Sequence, residues 1–131
     1  MKTNKLFFLG LMFVTLMWVN TAAADGWPAS VVGTWSVNAN NATGSLVITS
    51  QGTIGLCRPI AGNIFGNPIQ GFYCPFSGRI TFLRKAAVNN DTFQVYSANL
   101  GQVFSGFPLR MSGTFSSMGA SFGEYSFFAS K

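Results

Sequence analysis

From Trp27 to the last residue the chain shows no helical period; its apolar side chains recur at every second position. That period belongs to half-buried β-strands. Eight such runs are expected, each bounded by turn residues: Val31–Ala39, Thr43–Ser50, Thr53–Arg58, Ile69–Cys74, Arg79–Lys85, Thr92–Ala98, Leu109–Ser116 and Glu124–Ala129. Asn40-Asn41, Gln51-Gly52 and Asn89-Asn90-Asp91 supply turns. Asn99–Pro108 and the Gly-, Pro- and Asn-rich stretch from Pro59 to Pro68 read as loops, and Met118–Gly123 as a small-residue turn. Eight short strands joined in order suit an antiparallel meander, which closes into an up-and-down β-barrel and so removes both edges. A two-sheet β-sandwich is the alternative, although its crossovers need longer loops.

Each run has one face to bury. Leu46 with Ile48, Ile54 with Leu56, Ile80 with Phe82, and Phe93 with Val95 are expected inside. So are Leu109, Met111 and Phe115, and Tyr125 with Phe127. Val47, Leu83, Tyr96 and Phe128 then point outward, an apolar patch that suits a homo-oligomer or a docked protein.

The first run carries Gly33-Thr34-Trp35. This opening of a small all-β chain resembles the start of avidin-like and lipocalin-like, calycin-type barrels. The resemblance covers everything after the leader as topology, with a size closer to the avidin-like family. It implies that Trp35 plugs one end of the barrel. It also implies a small ligand: biotin, in tetramers, for the first family, and small apolar molecules for the second. The biotin-holding residues do not carry over. Past the leader only Trp27 and Trp35 remain of the several Trp expected, and Ala129, Ser130 and Lys131 offer no acidic group.

The chain opens as an export signal does. Lys2 and Lys5 precede an apolar run from Leu6 to Val19, and small residues at Ala22 and Ala24 suit cleavage before Asp25. The run is short for a membrane span, and no Cys follows it to take a lipid. Residues 1–24 are therefore expected to be a signal peptide and 25–131 a single barrel domain, secreted or periplasmic. The lysine-led leader looks bacterial, so the sequons Asn41-Ala42-Thr43 and Asn90-Asp91-Thr92 are expected to carry no sugar. Cys57 and Cys74 meet an oxidising compartment there and are expected to form a disulfide. On the expected strands the two Cys face oppositely, so a bulge would be needed to bring them together. The bond would then stabilise a loop at the tip of their hairpin.

The chain carries 8 basic and 3 acidic residues. Beyond the leader the bases are scattered at Arg58, Arg79, Arg84, Lys85, Arg110 and Lys131. Nucleic-acid binders cluster theirs, so the excess reads as solvation, with attraction to anionic surfaces as the outside case. There is no His, and the acidic residues are Asp25, Asp91 and Glu124. No carboxylate pair, activated nucleophile, metal set or phosphate loop can be assembled from these, which argues against an enzyme and against a cofactor.

What remains is binding. The barrel is expected to hold a small hydrophobic ligand at its mouth, lined by Trp35, Phe72, Phe82, Arg84 and Phe93. Arg84 shares the inward register of Ile80 and Phe82. It either lies at a barrel mouth, pairs over an aromatic such as Trp35, or anchors an anionic head group. The alternative is an interaction protein. Small exported barrels resembling bacterial protease inhibitors use their N-terminal segment, here Asp25–Ser30 with Trp27 and Pro28. An outer-membrane barrel needs strands of about 9–11 residues and fits less well.

Overall fold

The computed structural model describes residues 26–85, 92–119 and 122–131. The leader, Asp25, and Asn89-Asn90-Asp91 with its sequon lie outside the described residues. Eight strands follow in order: β1 (Gly33–Ala39), β2 (Ala42–Gln51), β3 (Arg58–Ile64), β4 (Asn67–Cys74), β5 (Arg79–Lys85), β6 (Thr92–Leu100), β7 (Arg110–Gly119) and β8 (Gly123–Ser130). Each pairs antiparallel with the next, and β8 returns to β1 over Ser36↔Ser130 to Ala39↔Phe127. The result is a closed up-and-down barrel, not a sandwich. Every strand has two neighbours, so no row of unpaired backbone groups faces solvent along an edge.

All but the third of the expected runs find their strands. Thr53–Cys57 is a surface loop in which Ile54 and Leu56 are 86% and 75% exposed. The strand lies beyond it, inside the stretch expected to be a loop. Pro59 and Pro68 are each the second residue of a strand, near an end, where a missing ladder donor costs least. Gly62 sits opposite Ile48, beside a register shift between Ile48 and Ser50. A Cβ on Gly62 would fall 1.9 Å from the Val47 carbonyl oxygen. A Cβ on Gly71 or Gly113 would likewise fall 2.0 Å from the carbonyl oxygen of Thr81 or Ser97 respectively. These glycines let strands coil tightly over their neighbours, as a small closed barrel requires.

The disulfide joins Cys57 to Cys74 as expected, with the two Cα atoms 4.0 Å apart. Its placement differs from the expectation. Arg58 pairs with Tyr73, so Cys57 stands opposite Cys74 just beyond the ladder, and no bulge between β3 and β4 is involved. The bond therefore closes the open end of the hairpin, away from the Phe65-Gly66 tip.

On β6 the facing is reversed from the expectation. Tyr96, Ala98 and Leu100 are buried, whereas Phe93 is partly exposed on the outer surface. Tyr96 thus leaves the outward patch, while Val47 and Leu83 are half-buried and Phe128 is exposed. The interior is packed solid by Trp35, Ile64, Tyr73, Phe82, Tyr96, Phe127 and their aliphatic neighbours. Phe82 stacks on Tyr96 at 4.7 Å, Tyr96 on Phe115 at 4.9 Å, and Phe127 meets Tyr96 edge-on at 5.1 Å. An aromatic column so runs from the core toward one end of the barrel.

The other end is sealed. Trp35 is fully buried and donates its Nε1–H to the Val31 carbonyl at 2.9 Å. Residues 26–32 fold beneath it. Gln51 receives the Val31 N–H at 3.0 Å and donates to the Ala29 carbonyl at 2.9 Å. Tyr73 donates its hydroxyl to the Pro28 carbonyl at 2.5 Å. Lys131 crosses Gly33, donates to the Val32 carbonyl and lies 5.5 Å over the Trp35 ring. The neighbour that Gly33 admits is therefore the Lys131 side chain.

Burial pushes the Tyr73 hydroxyl from 10.0 up to about 12. The unfolded chain ionises this group at its ordinary value, so the folded state holds the extra proton at alkaline pH. Stability from this group is intact below about pH 10 and is lost as pH rises toward about 12. Denaturant midpoints measured across that range should fall more steeply for the native protein than for Tyr73→Phe. Parallel profiles would exclude Tyr73 as the cause. Tyr96 adds a slope of the same sign, its hydroxyl also being raised by burial.

Candidate functional site

The open end is built by the tips of the β1–β2 and β3–β4 hairpins and the adjoining parts of β5 to β8. Asn40 and Asn41 make the first tip with positive φ (49° and 67°), the two-residue turn that matches strand twist. Phe65 and Gly66 make the second, with φ of 50° and 77°. A bulky residue with positive φ is uncommon, and such strain concentrates at functional positions. Phe65 is held there by packing: it lies on Gly44, where a Cβ would come within 2.4 Å of its ring.

Between these tips is a recess of about 400 Å³. Phe65, Phe115 and Tyr125 supply its apolar wall, and Arg84, Gln94 and Tyr96 its polar floor. Arg84 Nη1 donates to Gln94 Oε1 at 2.7 Å, and the Tyr96 hydroxyl donates to the same oxygen at 2.9 Å. Gln94 can therefore face inward on an otherwise apolar strand because its carbonyl is doubly satisfied. The guanidinium carbon of Arg84 lies 5.9 Å over the Phe65 ring. Its Nε is buried and has no hydrogen-bond partner among the described residues. Burial raises the Tyr96 hydroxyl, and the charge and hydrogen bond of Arg84 pull it back down. Tyr96 thus stays a neutral donor at ordinary pH.

This floor presents a fixed positive charge with donor capacity to spare. Among the described residues Arg84 has no carboxylate partner, and Glu124 is exposed on the outer surface of β8. The recess suits a small molecule that joins an apolar or aromatic body to an anionic or carbonyl group.

Of the residues expected to line the mouth, only Arg84 does so. Trp35 lies at the sealed end, where Lys131, not Arg84, covers its ring. Phe82 is buried beneath Tyr96. Phe72 is 55% exposed on the outer wall, and Phe93 also faces outward. Tyr96 and Gln94 were hidden from sequence reasoning because β6 was faced by its apolar majority. Phe65 and Gly66 fell in the presumed loop. Phe65-Gly66, an apolar residue followed by Gly between Ile64 and Ile69, was the available signal for that hairpin tip.

No protein-family model matches this chain, and no curated protein or solved structure matches it either.

Proposed function

We propose that this protein is an exported β-barrel binding module that holds a small, partly apolar molecule carrying an anionic group in its mouth. The observation that carries this reading is Arg84, half-buried on the floor of the recess, with a buried unpartnered Nε and no carboxylate among its described neighbours. A charge kept in such a place with no counter-ion among the described residues is expensive unless a ligand completes it. The filled interior supports a shallow site at the mouth rather than a ligand threaded through the barrel. Export is supported by the disulfide, a bond that persists in oxidising compartments. Among the described residues no helix is long and apolar enough to cross a membrane.

Trp35 is at the opposite end, so its fluorescence is a poor reporter of this site. Native mass spectrometry and amide chemical shifts are better suited. Titration with aromatic and short aliphatic carboxylates, each beside its matched alcohol, should favour the carboxylate by about tenfold or more. Arg84→Gln should abolish that preference while leaving the weak apolar affinity. Equal affinity for carboxylate and alcohol, or shifts confined to other parts of the barrel, would overturn the reading.

A further inference from the structure

Four of the six basic residues scattered along the sequence beyond the leader are gathered by the fold at one end, while Arg84 and Lys85 close β5 at the other. Arg58, Arg79 and Arg110 are the first residues of β3, β5 and β7. In an up-and-down barrel those positions all lie at one end, the sealed end. Lys131 joins them, following β8. Glu124, the only acidic side chain among the described residues, begins one residue inside β8 at the other end. Asp25 lies outside the described residues.

The loops at the sealed end carry a second pattern. Ile54 and Leu56 stand in the loop before Arg58, Phe76 in the loop before Arg79, and Val103, Phe104 and Phe107 in the loop before Arg110. All six are exposed, Phe107 by 72%. The same order, an exposed apolar tip and then an arginine at the strand start, thus occurs three times around the barrel. Elsewhere the exposed phenylalanines sit singly, as on ordinary protein surfaces: Phe72, Phe93 and Phe128 on separate strands of the wall, and Phe122, 88% exposed, just before β8 at the mouth end with no arginine beside it in sequence. Three separate apolar tips do not form one groove for a protein ridge. They fit a soft layer that each can enter independently, with cations one level behind them.

We propose that the sealed end docks on an anionic lipid surface, the loop tips entering the headgroup layer and Arg58, Arg79 and Arg110 meeting the lipid phosphates. The depth order is the one that membrane-surface proteins need, with apolar tips leading and arginines behind them: Arg110 is exposed, Arg79 is exposed and donates to Ser97 Oγ at 2.6 Å, and Arg58 is half-buried with its Nε enclosed. Two structural ties hold the tips in place. The Cys57–Cys74 bond anchors the first loop, and the Val103 N–H donates to the Gly26 carbonyl at 2.6 Å to fasten the third. The mouth with Arg84 then faces away from the membrane, open to its own ligand.

Co-sedimentation of the exported protein with vesicles tests this. Vesicles of equal parts phosphatidylglycerol and phosphatidylcholine should bind it at least about tenfold more tightly than phosphatidylcholine alone, and raised salt should weaken that binding. Arg58→Gln/Arg79→Gln/Arg110→Gln should remove the anionic preference. Phe104→Ser/Phe107→Ser should weaken binding to both vesicle types, and Arg84→Gln should change neither. Near-ultraviolet circular dichroism from buried Trp35 shows that each variant remains folded, and the single variant Phe107→Ser serves if the multiple ones do not. Equal binding to both vesicle types, or loop variants that bind as the native protein does, would overturn the proposal. A retained leader anchoring the protein would give that second result. Failure to bind either vesicle, as expected of a surface made for a protein partner, would overturn it too.

Discussion

Replacing Trp35 with Ala is expected to cost about 4 kcal/mol of folding stability, within the range for removing a buried aromatic from a close-packed core. Small domains hold roughly 5–15 kcal/mol in all, so the variant should be marginal at best and recovered in poor yield from the exported fraction. Three losses combine at this one position. The indole is fully buried, its Nε1–H satisfies the Val31 carbonyl at 2.9 Å, and its ring carries Lys131 at 5.5 Å. Trp35→Phe separates packing from hydrogen bonding. It keeps most of the apolar volume and leaves the Val31 carbonyl unpaired, at about 1–3 kcal/mol. Urea denaturation of both variants beside the native protein measures this. A Trp35→Ala variant within about 1 kcal/mol of the native protein would show that the sealed end contributes little to the fold.

Removing the disulfide should cost about 3 kcal/mol on the chain-entropy account, given that the bond joins residues 17 apart in sequence. The double variant Cys57→Ser/Cys74→Ser should have a lower denaturation midpoint, with its amide protection lost first at the open end of the β3–β4 hairpin. Protection at Phe65 and Asn67, at the hairpin's other end, should outlast it, because the ladder from Pro59↔Phe72 to Ile64↔Asn67 does not depend on the bond. Hydrogen exchange read by mass spectrometry distinguishes these regions. Loss of protection beginning at the hairpin tip would contradict the placement of the bond. The mouth should keep its ligand preference in this variant, since Arg84, Gln94 and Tyr96 lie on β5 and β6, outside the hairpin.

The order of apolar and polar residues along the chain was enough for the barrel itself. A period of two with turn residues between runs leaves eight strands few ways to bury one face each, and closure in chain order is the simplest. The Asn40-Asn41 turn and the pairing of two cysteines were also legible, because each depends on local chemistry or on elimination. The third strand was not. Pro59, Gly62 and Pro68 carry the composition of a loop, yet their places at strand ends and beneath a neighbouring carbonyl are tertiary facts. Thr53–Cys57 alternates as a strand does but has no partner to pair with, so it remains a loop.

The mouth was legible only as Arg84. The facing of a strand is decided by what its inward side chains find inside. Gln94 and Tyr96 turn inward because Arg84 satisfies the one and Phe82 and Phe115 stack on the other. No local pattern contains those partners, which come from β5 and β7. The gathering of Arg58, Arg79 and Arg110 at one end is of the same kind. Alternation settles that strands exist, whereas the direction in which each strand runs, a property of the closed barrel, settles which distant residues share an end.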